Sequence, residues 1–336
     1  MMRKTRRESG MKKVIAAVAV SAMALTALAG CGTTGQQSSN ASGKVYKVGV
    51  TQISDHPSLD NCRKGFIEGL KETGFEEGKN LEIEFVSAQD DMSKNTQIAQ
   101  NFANSGKDLV CGIATPSAQA LYAACLDKNI PVIFNAVSDP VAANLAKSKT
   151  EALPGISGVS DQLPVEAQLQ LIRKILPDAK KIGILYSTGE ANSISTLEVY
   201  KELAPQYGFE IVDKGISKKS DIPAVADVVL NEVDCISNMT DNTVVSSLAI
   251  ILDKANEKKI PVFGSEEEQV TNGCLASAGL DYVQLGIQAG KMAGEVLKGA
   301  DVSTLPYETL TESSIKVNEE VAQQLEITIP DDLKTE

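Results

Sequence analysis

Lys128-Asn129-Ile130-Pro131-Val132-Ile133-Phe134 and Lys259-Ile260-Pro261-Val262-Phe263 are one phrase written twice. In each, a lysine-ended helical pattern turns through proline into a short edge-type strand. The segments before each phrase match as well, because strands alternate with amphipathic helices in both. In the first half, strands are expected at 45–50, 81–86, 108–113 and 130–136, with helices at 59–73, 96–103 and 117–128. Leu59, Cys62, Phe66 and Leu70 keep the three-to-four spacing of a helix face, and Gly74 stops it. Pro116 suits the first turn of the third helix. The pattern restarts at Lys181, with strands at 181–186, 209–213, 233–237 and 260–263 and helices at 193–203, 222–230 and 243–256. Near-continuous apolar strands alternating with helices indicate a parallel sheet covered on both faces. The expected fold class is α/β, with two doubly wound, Rossmann-like lobes.

Two Gly/Ser-rich stretches, Pro154 to Asp161 and Gly273 to Asp281, read as hinge strands that cross between the lobes. Tyr282 to Leu297 is a helix carrying Gly286, Ala289, Gly290, Ala293 and Gly294, small residues suited to close packing. Tyr307 to Val317 crosses back, and Glu319 to Leu325 is a last short helix. The expected division is an N-terminal lobe of 44–156 plus about 278–308 and a C-terminal lobe of 157–277 plus about 309–336.

Residues 1–30 read as a targeting segment. Arg3, Lys4, Arg6, Arg7, Lys12 and Lys13 precede an apolar stretch from Val14 to Leu28, too short and alanine-rich to span a bilayer. Leu28-Ala29-Gly30 is a small-residue cleavage stop, and Cys31 follows directly. Leu-Ala-Gly-Cys resembles the lipobox of bacterial lipoproteins, which implies acylation (palmitate among the acyl groups) of Cys31 as the new N-terminus. Gly32 to Gly43 is a polar, flexible tether.

The chain has 32 basic and 44 acidic residues; residues 1–30 hold six basic and one acidic, leaving 26 against 43, a net of −17. That charge excludes nucleic acid or an anionic bilayer as a docking surface and leaves membrane attachment to lipid. Cys62, Cys111, Cys125, Cys235 and Cys274 show no metal-clip or redox spacing. They read as buried thiols, with room for one disulfide that the spacing does not locate. His56 is the one histidine, which removes most histidine-based metal and triad chemistry. There is no Gly-x-Ser-x-Gly elbow and no Gly-rich phosphate loop, so neither an enzyme, a metal nor a cofactor is expected.

In open α/β sheets, ligands bind beyond the carboxyl ends of the strands. Those ends carry small polar residues: Thr51-Gln52, Thr115-Pro116-Ser117, Ser138-Asp139, Ser187-Thr188, Asn192-Ser193, Thr240-Asp241-Asn242 and Ser265-Glu266. Several precede helices, whose free N–H groups attract a carboxylate; each could equally serve as a simple cap. Asp139, Asp241 and Asp281 are the candidate partners for a ligand ammonium. His56 and Leu59 would form one wall of a side-chain pocket, with Tyr186 opposite.

Taken together, the motifs resemble the substrate-binding lipoproteins of bacterial ABC importers, nearest to those that bind tryptophan and other aromatic amino acids. The phrases concerned are Val50-Thr51-Gln52-Ile53 with His56-Pro57-Ser58-Leu59-Asp60, Ala114 to Ala120, Val137-Ser138-Asp139-Pro140-Val141, Gly158-Val159-Ser160-Asp161, Glu190-Ala191-Asn192-Ser193, Thr240-Asp241-Asn242-Thr243 and Gly279-Leu280-Asp281-Tyr282. The resemblance implies a type I periplasmic-binding-protein fold, a monomer, and two lobes closing on one small ligand without chemistry. A zwitterion, above all an amino acid, would meet Thr51, Gln52, Thr115, Ser117, Ser138 and Asp139 first. Closure would then bring Asn192, Asp241 and Asn242, with Ser187 and Ser265 nearby. The implied partner is a membrane permease. A ligand sensor for a membrane receptor, or a carrier of a nucleoside or other polar solute, has the same sequence features.

Overall fold

The computed structural model describes residues 43–334. The signal segment, Cys31 and the tether up to residue 42 lie outside the described residues. The first sheet is built from β1 (Tyr46–Gln52), β2 (Leu81–Ser87), β3 (Leu109–Ile113), β4 (Val132–Asn135), β7 (Ile156–Ser160) and β13 (Glu308–Thr309). Its spatial order is β2-β1-β3-β4-β7-β13, all parallel. Every residue of β3, β4 and β7 is buried, as a strand covered on both faces requires. The edge strand β2 carries the acidic Glu82 and Glu84, which discourage pairing with another chain. Helices α1 (Pro57–Glu72), α2 (Met92–Asn104) and α3 (Thr115–Cys125) make the crossovers. A small hairpin, β5 (Ala146–Ser148) and β6 (Glu151–Ala152), precedes β7 and has no counterpart in the periodicity.

The second sheet repeats the plan in the order β9-β8-β10-β11-β12-β14. It comprises β8 (Lys181–Ser187), β9 (Glu210–Ile216), β10 (Cys235–Ser237), β11 (Val262–Phe263), β12 (Ala276–Leu280) and the antiparallel β14 (Ser313–Val317). Its helices are α4 (Val165–Ile175), α5 (Ala191–Leu203), α6 (Ile222–Val229), α7 (Asn242–Val245), α8 (Leu248–Glu257), α9 (Glu267–Thr271) and the terminal α11 (Glu319–Gln324). Three points differ from expectation. Helix α9 falls where no element was expected. Helix α4 falls in a stretch without an expected element, although Val165, Leu169, Ile172 and Ile175 are buried on a helical stripe. The helix expected at 243–256 is broken at Ser246 and Ser247, where the Ser246 hydroxyl donates back to the Thr243 carbonyl (2.9 Å).

The chain changes sheet three times: after β7, after β12 and between β13 and β14. Strand β7 stays in the first sheet to Ser160 and β12 stays in the second to Leu280. The first two changes therefore come a few residues beyond the expected 157 and 278. Helix α10 (Tyr282–Leu297) returns to pack on α1 in backbone contact. A methyl group added to Gly286 would sit 2.2 Å from the Cys62 carbonyl oxygen, and one added to Gly65 would sit 2.1 Å from that of Val283. The five cysteines are buried free thiols, so the disulfide left open by the sequence is absent among the described residues. No helix of these residues is long and apolar enough to cross a membrane, and no cluster of His, Cys, Asp and Glu among them could hold a metal.

Candidate ligand-binding site

The sheets meet at their carboxyl ends around a narrow, partly open cavity. Its lining comes from almost every strand end: His56 and Leu59 after β1, Ala114 and Thr115 after β3, Ala136 and Ser138 after β4, and Asp161 after β7. From the second lobe come Asn192, Thr240, Asn242, Val245 and Glu266, and Tyr282 opens α10. The backbone is strained here. Ala114 has φ 71° and ψ 155°, a region otherwise nearly confined to glycine, and Ala136 has φ 58°. These turns aim the first turn of α3 at the cavity. Helices α1, α3 and α5 all begin at it, and none has a side chain capping its first N–H groups. Three uncapped N-termini form an anion-attracting surface.

The titratable groups on the wall are acids, apart from His56. Asp161 is buried; its Oδ2 accepts from the Tyr282 hydroxyl (2.7 Å), while Oδ1 has no partner. Glu266 is also buried; its Oε1 accepts from Ser58 across the lobes and from Gln269 (3.0 Å), while Oε2 has no partner. Burial pushes the Asp161 carboxyl above its usual range, opposed by the hydrogen bond from the Tyr282 hydroxyl and by the nearby Ser138 hydroxyl. Burial, opposed by the Ser58 bond and reinforced by the Glu268 and Asp161 carboxylates, pushes Glu266 up to about 8. Burial pulls the His56 imidazole down to about 4 despite nearby Asp90, Asp60 and Asp55, so it is neutral at pH 7. No lysine or arginine lines the cavity among the described residues.

Six of the expected residues line this cavity: His56, Leu59, Thr115, Ser138, Asn192 and Asn242. The three acids expected to hold an ammonium do other work. Asp241 caps α7 through Val244 N–H (2.8 Å) and also accepts from Ser187 N–H (2.5 Å) and the Ser193 hydroxyl (2.6 Å). Asp281 caps α10 through Val283 and Gln284 N–H (2.8 and 3.1 Å). Asp139 accepts from the N–H groups of Val141 and Ala142 (3.1 and 2.9 Å). Ser187 thus serves Asp241, Ser117 donates to Asn95 (3.2 Å), and Ser265 accepts from Gln269 (2.9 Å). Thr51 and Gln52 are buried one layer down, where the Gln52 amide braces the first loop through Ser54 (3.0 Å) and Asp60 (3.1 Å). Tyr186 is not part of the lining and lies over Gly215. The sequence reading did not pick Asp161, Glu266, Tyr282, Thr240 and Val245 as site residues. Asp161 carried the clearest signal, an acid directly at the end of the Gly/Ser-rich hinge strand.

Two similar α/β lobes lining one cavity have the plan of a solute-binding protein. The chain belongs to the family of ABC transporter substrate binding proteins, whose model matches residues 47–336. It is 39% identical over 322 residues to a tyrosine-binding protein of Clostridioides difficile (strain R20291), covering 94% of this chain and 93% of that one. An ABC domain from Streptococcus pneumonia in complex with L-Trp is 36% identical, with a TM-score of 0.84 and coverage of 86% of this chain and 97% of the other. The ligand-free, open structure of a Clostridium difficile substrate binding protein is 40% identical at the same coverages, yet its TM-score is 0.66. The higher score for the ligand-bound relative matches the lobe contacts seen here: Ser58 with Glu266, Asn61 with Glu268, Ser138 with Thr240 (3.3 Å) and Lys219 with Asp90 (3.3 Å). The expected fold, the absence of enzymatic function and the role as an ABC substrate-binding protein, working outside the cytoplasm with a permease, are thereby established.

Proposed function

We propose that the cargo is a free α-amino acid with an aromatic side chain. The observation that carries this reading is the charge pattern of the cavity. Asp161 and Glu266 each present a buried, unpartnered carboxylate oxygen, and no lysine or arginine lines the cavity to answer them. A buried polar atom without a partner costs about 1–3 kcal/mol, so a ligand ammonium donating to both oxygens relieves two such costs at once. The ligand carboxylate then takes the uncapped turn of α3 at Thr115, whose hydroxyl is also unpartnered. Leu59, Ala114, Ala136 and Val245 supply the apolar part of the lining, against which a ring would pack. The aromatic choice rests on the tyrosine-binding relative and the relative bound to L-Trp.

Calorimetry with the twenty amino acids, their amides and their deaminated analogues tests this directly. Aromatic amino acids bind, and analogues lacking the ammonium lose affinity by at least about tenfold. Equal binding of a deaminated analogue sinks the reading. For membrane attachment, the polar 32–43 stretch and the Leu-Ala-Gly-Cys motif support a lipid on Cys31. Cys31→Ser expressed in the native cell moves the protein from the membrane to the soluble extracytoplasmic fraction if so. We also take the protein to act as a monomer, which sedimentation of the full chain in detergent measures.

A further inference from the structure

His56 is the sole histidine, and both its ring nitrogens are buried without a partner at the wall of the cavity. Its neighbours are polar in a specific way. The Asn242 side chain approaches the ring and favours its charged form, but stays outside normal hydrogen-bond geometry, so both nitrogens remain open. Asn242 and Asn192 both donate from Nδ2 to the same oxygen, Oε2 of Glu190, at 2.6 and 3.2 Å. Asn192 also donates to the Thr240 carbonyl (3.1 Å), which spends its amide N–H groups, while its Oδ1 has no partner. His56, Asn242 and Asn192 therefore share one stretch of wall, and that wall offers one ring N–H donor and two acceptors, the second ring nitrogen and Asn192 Oδ1. The neighbouring lining of Leu59 and Val245 is apolar.

We propose that His56 reads a hydrogen-bonding atom on the ligand's ring, so that the site selects aromatic amino acids with a ring hydroxyl or ring N–H over phenylalanine. This rests on the amino-acid reading above and names the part of the ligand that reading leaves open. The two charged ends of the ligand do not need His56: the ammonium has Asp161 and Glu266, and the carboxylate has uncapped helix N-termini. The ring, held neutral by its burial, is matched to a neutral partner. A phenol hydroxyl both donates and accepts, and an indole N–H donates; either satisfies what a plain phenyl ring leaves unpaired. A site built to bond such an atom rejects the analogue lacking it, because its own buried groups stay unsatisfied.

The test is calorimetry of the full chain with L-tyrosine, L-tryptophan and L-phenylalanine, in wild type, His56→Leu and His56→Gln. Wild type prefers the better of tyrosine and tryptophan over phenylalanine by about 10- to 100-fold. In His56→Leu that ratio collapses to within a few-fold, mainly through weaker binding of the polar ligand. His56→Gln, which keeps a donor and an acceptor, retains part of it. The proposal is overturned if wild type binds phenylalanine as tightly as the other two. It is equally overturned if His56→Leu weakens all three by one common factor, which would place His56 at the shared amino-acid end. If wild type binds none of the three, the amino-acid reading itself fails. Should His56→Leu not fold, the wild-type ratio and His56→Gln still decide the matter.

Discussion

At the scale of single residues, the difference between a capping acid and a ligand-binding acid is whether its oxygens are already used. Asp241 accepts three donors, so its loss is a loss of structure: Asp241→Ala is expected to destabilise the fold by at least about 1–2 kcal/mol, read as a lowered Tm without ligand. Asp161→Asn retains an acceptor for Tyr282 and the fold, but lowers amino-acid affinity by about 10- to 100-fold in calorimetry. If Asp161→Asn binds normally and Asp241→Asn does not, these assignments are reversed. Glu266 adds a pH signature. Its folded-state pKa of about 8 lies above the ordinary carboxylate value, so the folded protein holds a proton that the unfolded chain releases. Its contribution to stability therefore declines as pH rises from about 4.5 through 8. An ammonium beside it favours the ionised form. Binding below pH 8 then expels a proton, and affinity rises with pH from 6 to 8 by up to about tenfold per unit. Calorimetry in two buffers of different ionisation enthalpy counts that proton; no buffer dependence would remove Glu266 from the ammonium site.

At the scale of elements, capping was readable and its consequence was not. Ser, Thr, Asn and Asp before a helix announce an N-terminus, and Asp91, Asp241, Asp281 and Asn318 are such caps. The helices that open on the cavity are those begun by His56, Ala114 and Glu190, whose side chains do not cap them. An uncapped end is a gap in a hydrogen-bond list, which no residue type advertises. The glycines of α1 and α10 gave a clearer signal. Their spacing implied close packing, and the two backbones do touch. Gly286→Ala is expected to cost about 1–3 kcal/mol in thermal or urea unfolding, since neither helix backbone can retreat. Ala at Gly74, which has nothing within 4 Å but a φ of 98°, would cost through backbone strain alone.

At the scale of the whole molecule, the proposed ammonium site and the contact between the lobes share Glu266. One of its oxygens holds Ser58 of the opposite lobe, the other faces the cavity, and Glu268 binds Asn61 alongside. A ligand shifts a two-state equilibrium only through contacts it makes in one state and not the other, and lining from both lobes supplies them. Removing the clasp with Ser58→Ala and Asn61→Ala should open the lobes. The expected readouts are a larger radius of gyration in small-angle scattering with ligand present and an affinity several-fold lower, with the ligand-free Tm nearly unchanged. An unchanged scattering profile would show that the clasp is incidental.

The sequence by itself determined the α/β class, the duplicated lobes, the crossings between them and the carboxyl strand ends as the place where the cavity lies. Each of these follows from periodicity, proline and glycine placement or a repeated phrase, which are local properties of the chain. It also supplied six residues of the cavity wall. Only the tertiary structure decided which acids face the cavity. Asp161 and Glu266 are 105 positions apart, and Ser58 is 208 from Glu266. Whether a carboxylate caps a helix, braces a loop or waits for an ammonium depends on which donors the fold carries to it across such separations. Residue type is the same in all three cases, and the supply of partners is not.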